Sequence, residues 1–203
     1  MQTLVTFPRL EVARKPTARD QKQEHLQTHP TDVHIGLATI AEMTSRFADE
    51  ILEAGADGIF FTSHMSQASL LTEEACQTYV IPYDLIALER VKSQPAPLIL
   101  HLHGEDLFFE SANQYPAHAI SWDTSKTSPS IAEALQLTDK TLLTGLDAKM
   151  LAQGTPSDAR TQAQIALEQT GKQRLILGPG CAVEPKTPTE NLQAIIDSDR
   201  SIE

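Results

Sequence analysis

Two histidines one residue apart, His101-Leu102-His103-Gly104, follow directly on the apolar run Pro97-Leu98-Ile99-Leu100, and a second apolar run leads into Gly178-Pro179-Gly180-Cys181. On a β-strand, alternate residues point to the same face, so His101 and His103 could aim two imidazoles at one point from Cα positions roughly 6.5 Å apart. Leu102 would then face the opposite layer. A Cys181 thiolate arriving on another strand end would make a third protein ligand and leave a fourth position open, which is how catalytic zinc sites differ from closed structural ones. Plainer readings stand beside this one. A His-x-His pair on a strand also serves as a hydrogen-bonded, half-exposed pair, and a lone cysteine as a small buried hydrophobe. What favours the site is location, because both segments read as strands that run straight into glycine-containing loops.

The elements that must carry these residues alternate along the chain. Short apolar runs of strand length occur at 57–62, 97–103, 117–121, 141–145 and 174–178, and segments of helical spacing lie between them. From Ile35 to Glu53, the residues Leu37, Ile40, Phe47 and Ile51 repeat at the three-to-four spacing of one helix face, and Gly55 supplies a stop before the next strand, which reads as a helix feeding a strand. Thr155-Pro156-Ser157-Asp158 supplies an N-cap, a proline at the first helical position and an acidic residue at the third, with Gly171 as the C-terminal stop. Thr187-Pro188-Thr189-Glu190 reads as a capping box before Leu192, Ile195 and Ile196. Repeated βα units with wholly apolar strands imply a parallel sheet covered by helices, either doubly wound or closed into a barrel. The chemical residues favour the barrel. Thr62-Ser63-His64, His101 and His103, Trp122-Asp123, Gly145-Leu146-Asp147 and Cys181 all fall at strand C-termini, whereas a doubly wound sheet gathers its site at one switch point.

Composition narrows the partners. The chain has 203 residues, 40% of them apolar, and a formal net charge of −11. Enough surface is available for one core, so a single domain over 1–203 is expected. The 16 Lys and Arg residues are scattered, which argues against nucleic acid as a partner. No stretch approaches the roughly 18 apolar residues of a membrane span, and the N-terminus lacks the order of a signal peptide, so a cytoplasmic location is expected. Cys76 and Cys181 sit in different contexts and read as reduced thiols, Cys76 as one buried in a helix.

The remaining polar candidates carry alternative roles. Asp123 and Asp147 are placed to contact substrate or water as catalytic groups, and equally to cap the helices that follow them. Asp123 and His64 are candidate substrate contacts, although an exposed loop histidine is the simpler reading of His64. Glu105 or Asp106 could orient an imidazole N–H, or cap the next helix. His25, His29 and His34 have no partner motif. The segment Arg14 to Gln23 reads as a loop or a solvated helix. Gly178-Pro179-Gly180 lacks the lysine of a P-loop and the third glycine of a dinucleotide fingerprint.

From about Thr3 to Ile196 the chain resembles the uroporphyrinogen decarboxylase superfamily, which includes zinc-dependent methyltransferases that carry methyl groups from corrinoid proteins to thiols. The resemblance rests on Ala54-Gly55-Ala56-Asp57-Gly58, Pro82-Tyr83, His101-Leu102-His103-Gly104 and Trp122-Asp123. It continues through Gly145-Leu146-Asp147 with Leu151, Gly178-Pro179-Gly180-Cys181 and Thr187-Pro188-Thr189-Glu190-Asn191-Leu192. It implies a (β/α)8 barrel of the TIM type, in which Leu4-Val5-Thr6-Phe7-Pro8 matches the third strand. Strands three to eight would then be present, as in an N-terminally shortened barrel, and six units cannot close by the usual shear and tilt. The chain would be a fragment, a homo-oligomer, or one half completed by an N-terminal fragment, with exposed edges open to pairing.

For the site, the resemblance implies zinc at His101, His103 and Cys181, with His103 standing where the methyltransferases have a cysteine. Imidazole in place of thiolate keeps a tetrahedral site, adds one positive charge and makes a stronger Lewis acid. A thiol is then the implied acceptor, and methylcobalamin or another corrinoid on a partner protein the implied donor. The decarboxylase branch implies instead a metal-free cleft for a tetrapyrrole. Its arginines and aspartate come from barrel units outside this sequence, its tyrosine after the third strand has no counterpart in Leu10-Glu11-Val12-Ala13-Arg14, and Cys181 replaces its last-strand histidine. A third reading is a non-catalytic subunit or remnant that binds through its open edges.

Overall fold

The computed structural model describes residues 26–200. The Leu4–Pro8 run, the polar segment at 14–23 and His25 lie outside the described residues. Five strands, β1 (Ile59–Ser63), β2 (Leu98–Leu102), β3 (Ala119–Ser121), β4 (Thr141–Leu146) and β5 (Leu175–Pro179), fall on the five apolar runs. They form one sheet in the order β1-β2-β3-β4-β5, and each pair is parallel. Strands added in one direction, joined by right-handed crossovers, put every connecting helix on one side. That is an arc of a (β/α)8 barrel, not a doubly wound sheet, because the order never reverses. Among the described residues the arc is open, with β1 and β5 at its edges.

The helices are α1 (Pro30–Glu53), α2 (Glu73–Tyr79), α3 (Ile81–Ala87), α4 (Ile131–Leu137), α5 (Ala148–Gln153), α6 (Pro156–Thr170) and α7 (Thr189–Arg200), with a 3-10 turn at Phe109–Gln114. Their starts follow from local chemistry. Ser130 with Glu133 and Thr155 with Asp158 form reciprocal capping boxes at α4 and α6, and Thr72 accepts a hydrogen bond from the Ala75 N–H at α2. These side chains satisfy backbone donors that a helix start leaves without partners. Gly171 ends α6 as the sequence predicts.

Alternation along the strands sorts the two faces of the sheet. Ile59, Leu98, Leu100, Ile120 and Leu142 pack against Ile81, Leu88 and Ala134 from the helix layer. The opposite face carries a row set by register: Thr62 pairs with His101, His101 with Ser121, Ser121 with Leu143 and Leu143 with Ile176. Ile176 at its end is 47% exposed. His101 therefore lies on the face turned away from the helices, which is the inner face of the arc.

One expectation is corrected, at α7, and the apolar face of α1 is divided. The face of α1 that periodicity picks out is only partly covered: Ile51 packs against the core and Leu37 is half-buried, whereas Ile40 is 47% and Phe47 51% exposed, with Met43 at 67%, and the fully buried residues are Ala41, Ser45 and Ala48. Small side chains let α1 approach its neighbours closely, and Ile40, Met43 and Phe47 stand where no described element covers them. At α7 the capping box does not form. Thr187 Oγ1 is buried without a hydrogen-bond partner, and the helix is anchored instead by Asn191, whose Nδ2 donates to the Leu151 carbonyl at 2.8 Å and the Gly154 carbonyl at 2.9 Å.

These packing assignments have measurable consequences. Leu142→Ala empties a fully enclosed position and is expected to lose about 2–5 kcal/mol in urea unfolding. Phe47→Ser is expected to change stability by less than about 0.5 kcal/mol; a loss at Phe47 as large as that at Leu142 would contradict the exposed face of α1.

Candidate functional site

The site forms where β1, β2, β3 and β5 end. His101 is the fourth residue of β2 and His103 follows two positions later, on the same face. Leu102 points into the helix-side core, where it is 1% exposed, as alternation requires. The donor atoms of His101, His103 and Cys181 all lie within 4.8 Å of one another. His101 is buried and His103 and Cys181 are half-buried, so the cluster opens to solvent on one side.

His101 is held on two sides. Its ring stacks on Phe60, with centroids 5.5 Å apart, and its Nδ1 lies 3.2 Å from Ser121 Oγ. Ser121 sits there because it is the register partner of His101. With Nδ1 engaged by Ser121, Nε2 is the nitrogen left for a ligand. Burial, helped by His103 and His64, pushes the His101 imidazole down to about 4, so at neutral pH the ring is neutral and its lone pair available. His64 joins the cluster, its ring centroid 4.4 Å from that of His103.

Cys181 reaches the site through Gly180. The Gly180 N–H donates to the Leu146 carbonyl at 3.2 Å, and the backbone passes so close to β3 that a Cβ on Gly180 would stand 2.2 Å from Asp123 Cα. No side chain can be accommodated there without moving the backbone that carries Cys181.

The loops after β1 and β2 are tied together by a residue that the sequence pattern did not single out. Gln67 Nε2 donates to the His64 carbonyl at 2.6 Å and the His103 carbonyl at 2.9 Å, while its Oε1 accepts from Ser69 Oγ at 2.7 Å. Gly104, at φ +121, leaves room for this side chain, since a Cβ there would overlap the Gln67 amide. A buried glutamine between two loops has no sequence signature of its own; Gly104 beside His103 is the nearest clue.

The acidic candidates divide. Asp123 caps no helix. Its Oδ1 accepts from the Ser125 N–H and Oγ–H and its Oδ2 from Lys126 Nζ at 2.7 Å. Burial raises the Asp123 carboxyl, but the hydrogen bonds from Lys126 and Ser125 outweigh it and hold the group below its ordinary value. Asp147 takes the capping role, accepting from the backbone N–H groups of Lys149 and Met150 at the start of α5. Glu105 and Asp106 are exposed and begin no α-helix, and the partner found at His101 Nδ1 is Ser121. Cys76 is the buried helix thiol expected, raised by its burial.

Behind the site, Asp84 on α3 lies beneath the hydroxyls of Ser63 and Tyr115. Although the residue keeps some exposed surface, its carboxyl is enclosed, accepting from Tyr115 Oη at 2.7 Å and Ser63 Oγ at 2.9 Å. Burial pushes it up to about 6, against the opposing pull of these two hydrogen bonds. A carboxyl raised above its unfolded value of 3.8 contributes most to stability below that value and loses the contribution as pH rises through about 6. The stability of the protein relative to Asp84→Asn is therefore expected to fall by about 2–3 kcal/mol between about pH 4 and pH 7. A difference independent of pH in urea unfolding would contradict the enclosed carboxyl.

The family model for uroporphyrinogen decarboxylase (URO-D) matches residues 19–202. A curated uroporphyrinogen decarboxylase from Phenylobacterium zucineum (strain HLK1) is 26% identical over 187 residues, which cover 90% of this chain and 53% of that protein. The chain thus spans about half the length of that relative. Among solved structures, a methyltransferase from Methanosarcina mazei superposes with a TM-score of 0.78 at 18% identity, covering 91% of this chain and 53% of its own. A B12-independent methionine synthase from Shewanella sp. W3-18-1, in complex with selenomethionine, superposes with a TM-score of 0.61 at 17% identity, covering 79% and 53%. At such identities the likeness speaks for the fold, and it agrees with the barrel arc read from strand order. The family match spans all of the described residues, and on it the chain belongs to the uroporphyrinogen decarboxylase family.

Proposed function

We propose that His101, His103 and Cys181 hold one zinc ion, and that the centre activates a thiol to accept a methyl group from a corrinoid carried by a partner protein. The observation that carries this reading is the convergence of two imidazoles and one thiol within 4.8 Å. Ligands of a tetrahedral zinc lie about 3.3–3.8 Å apart, given bonds of about 2.0–2.3 Å. The cluster needs a contraction of at most about 1.5 Å, and its donor types suit zinc. Bound there, zinc would lower the pKa of a thiol in its fourth position and keep it as thiolate at neutral pH.

The chain's own residues supply the rest. Ser121 and Phe60 fix the plane and tautomer of His101, and Gly180 sets the approach of Cys181. Gln67 holds the carbonyls of His64 and His103 at one spacing, and the two imidazole centroids lie 4.4 Å apart. The half-buried inner face, with Phe60, Ile99 and Leu143, gives that acceptor an apolar wall from which water is partly excluded. Decarboxylation of a tetrapyrrole is less well supported, because that chemistry implies a metal-free cleft, whereas two imidazoles and a thiol converging within 4.8 Å are donors suited to a metal. The likeness to a methyltransferase structure is consistent with the choice but, at its low identity, does not decide it.

Elemental analysis of the purified protein is expected to find about one equivalent of zinc, reduced to a trace in His103→Ala and in Cys181→Ala while both remain folded by circular dichroism. Folded wild-type protein that takes up no zinc would overturn the proposal. Ser121→Ala, which removes the partner of His101 Nδ1 without touching a ligand, is expected to weaken zinc binding about 10-fold in a chelator competition; unchanged affinity would show that Ser121 plays no part in orienting the ring.

A further inference from the structure

The buried carboxyl of Asp84 takes no direct part in the cluster, yet the groups it holds lead straight to it. Ser63 ends β1 and immediately precedes His64. Its Oγ donates to Asp84 Oδ2 and lies 2.9 Å from Ser66 Oγ, and Ser66 Oγ in turn accepts from the Cys76 thiol at 3.7 Å. With Ser63 donating to the carboxyl, its remaining lone pairs accept from Ser66, and Ser66 accepts from Cys76. Every hydroxyl in the row has one direction, and Asp84 is the acceptor at which the row ends.

The same two serines present their backbone carbonyls to the neighbouring loop. The His103 N–H donates to the Ser63 carbonyl at 3.3 Å, and the Phe108 N–H donates to the Ser66 carbonyl at 3.0 Å. These are the two ends of the loop that carries His103. Between them, Gln67 joins the His64 and His103 carbonyls. Asp84 thus lies under the turn that fixes where His103 leaves β2.

Stability alone does not account for such a residue. A carboxyl enclosed by core costs free energy, and an apolar side chain of similar volume is often neutral or stabilising in its place. We infer that Asp84 is a positioning residue for the metal centre: by ordering Ser63 and Ser66 it sets the placement of His103, and so the affinity and geometry of the site. This rests on the zinc reading proposed above.

The test compares Asp84→Leu, which removes the acceptor, with Asp84→Asn, which keeps an acceptor oxygen. Leu142→Ala serves as a control that loses stability in the same sheet without touching the serine row. Zinc affinity is measured by chelator competition well below each unfolding midpoint, and the visible absorption of the cobalt-substituted protein reports ligand geometry. The inference expects Asp84→Leu to bind zinc about 10-fold more weakly with an altered cobalt spectrum. Asp84→Asn and Leu142→Ala should stay within about twofold of wild type. Should Asp84→Leu not fold, Ser66→Ala interrupts the same row and is expected to shift affinity in the same direction. Wild-type zinc affinity and cobalt spectrum in the folded acceptor-less variants would overturn the inference and leave the zinc site standing, as would an equal loss in Leu142→Ala. A wild-type protein without zinc affinity would remove both.

Discussion

The register between β2 and β3 decides what the chemistry-bearing residues can reach. His101 stands opposite Ser121, on the face turned away from the helices, and there the two side chains meet. A slip of one residue would turn His101 into the helix-side core and bring Leu102 to the inner face. The back of the strand prevents it. Leu98, Leu100 and Leu102 are all buried, and exposing them would cost roughly 1.5–3 kcal/mol for each side chain. Apolar burial behind β2 therefore aims the imidazoles in front of it.

At the strand ends the same sheet turns polar without leaving its polar groups stranded. Ser63, Ser66, Gln67, Ser121 and Thr144 are all buried, and each has a hydrogen-bond partner. Trp122 extends the pattern, with its indole fully enclosed against Phe109 and its Nε1–H given to the Pro129 carbonyl at 2.8 Å. In a medium of low dielectric such networks are worth having only when complete. Their completeness is what allows a nearly dry histidine to stand neutral beside a thiol and a second imidazole.

Much of this was legible in the sequence because it is local. Five apolar runs gave five strands, and the turn chemistry of Thr155-Pro156 and Gly171 gave the bounds of α6. The positions of His101, His103 and Cys181 at strand ends identified a cluster that the fold brings within 4.8 Å. What escaped was non-local. Periodicity marks the apolar face of α1 but not what covers it, and the face found buried there is the one with small side chains, Ala41, Ser45 and Ala48. The motif at Thr187 has the composition of a capping box, yet Asn191 anchors α7 to the turn after α5 through two backbone carbonyls. Gln67 and Asp84 were invisible for the same reason. Each is defined by groups that only the folded chain assembles: two loop carbonyls for Gln67, and hydroxyls from Ser63 and Tyr115 for Asp84.

The central claim is that two imidazoles and one thiolate form a single metal centre with a fourth position open to a thiol. X-ray absorption at the zinc edge tests it most directly, on the zinc-loaded protein before and after addition of 2-mercaptoethanol. The account predicts one sulfur at about 2.3 Å with nitrogen or oxygen ligands at about 2.0–2.1 Å, changing to two sulfurs when the thiol is present. A shell of oxygen and nitrogen alone, unaltered by the thiol, would contradict it.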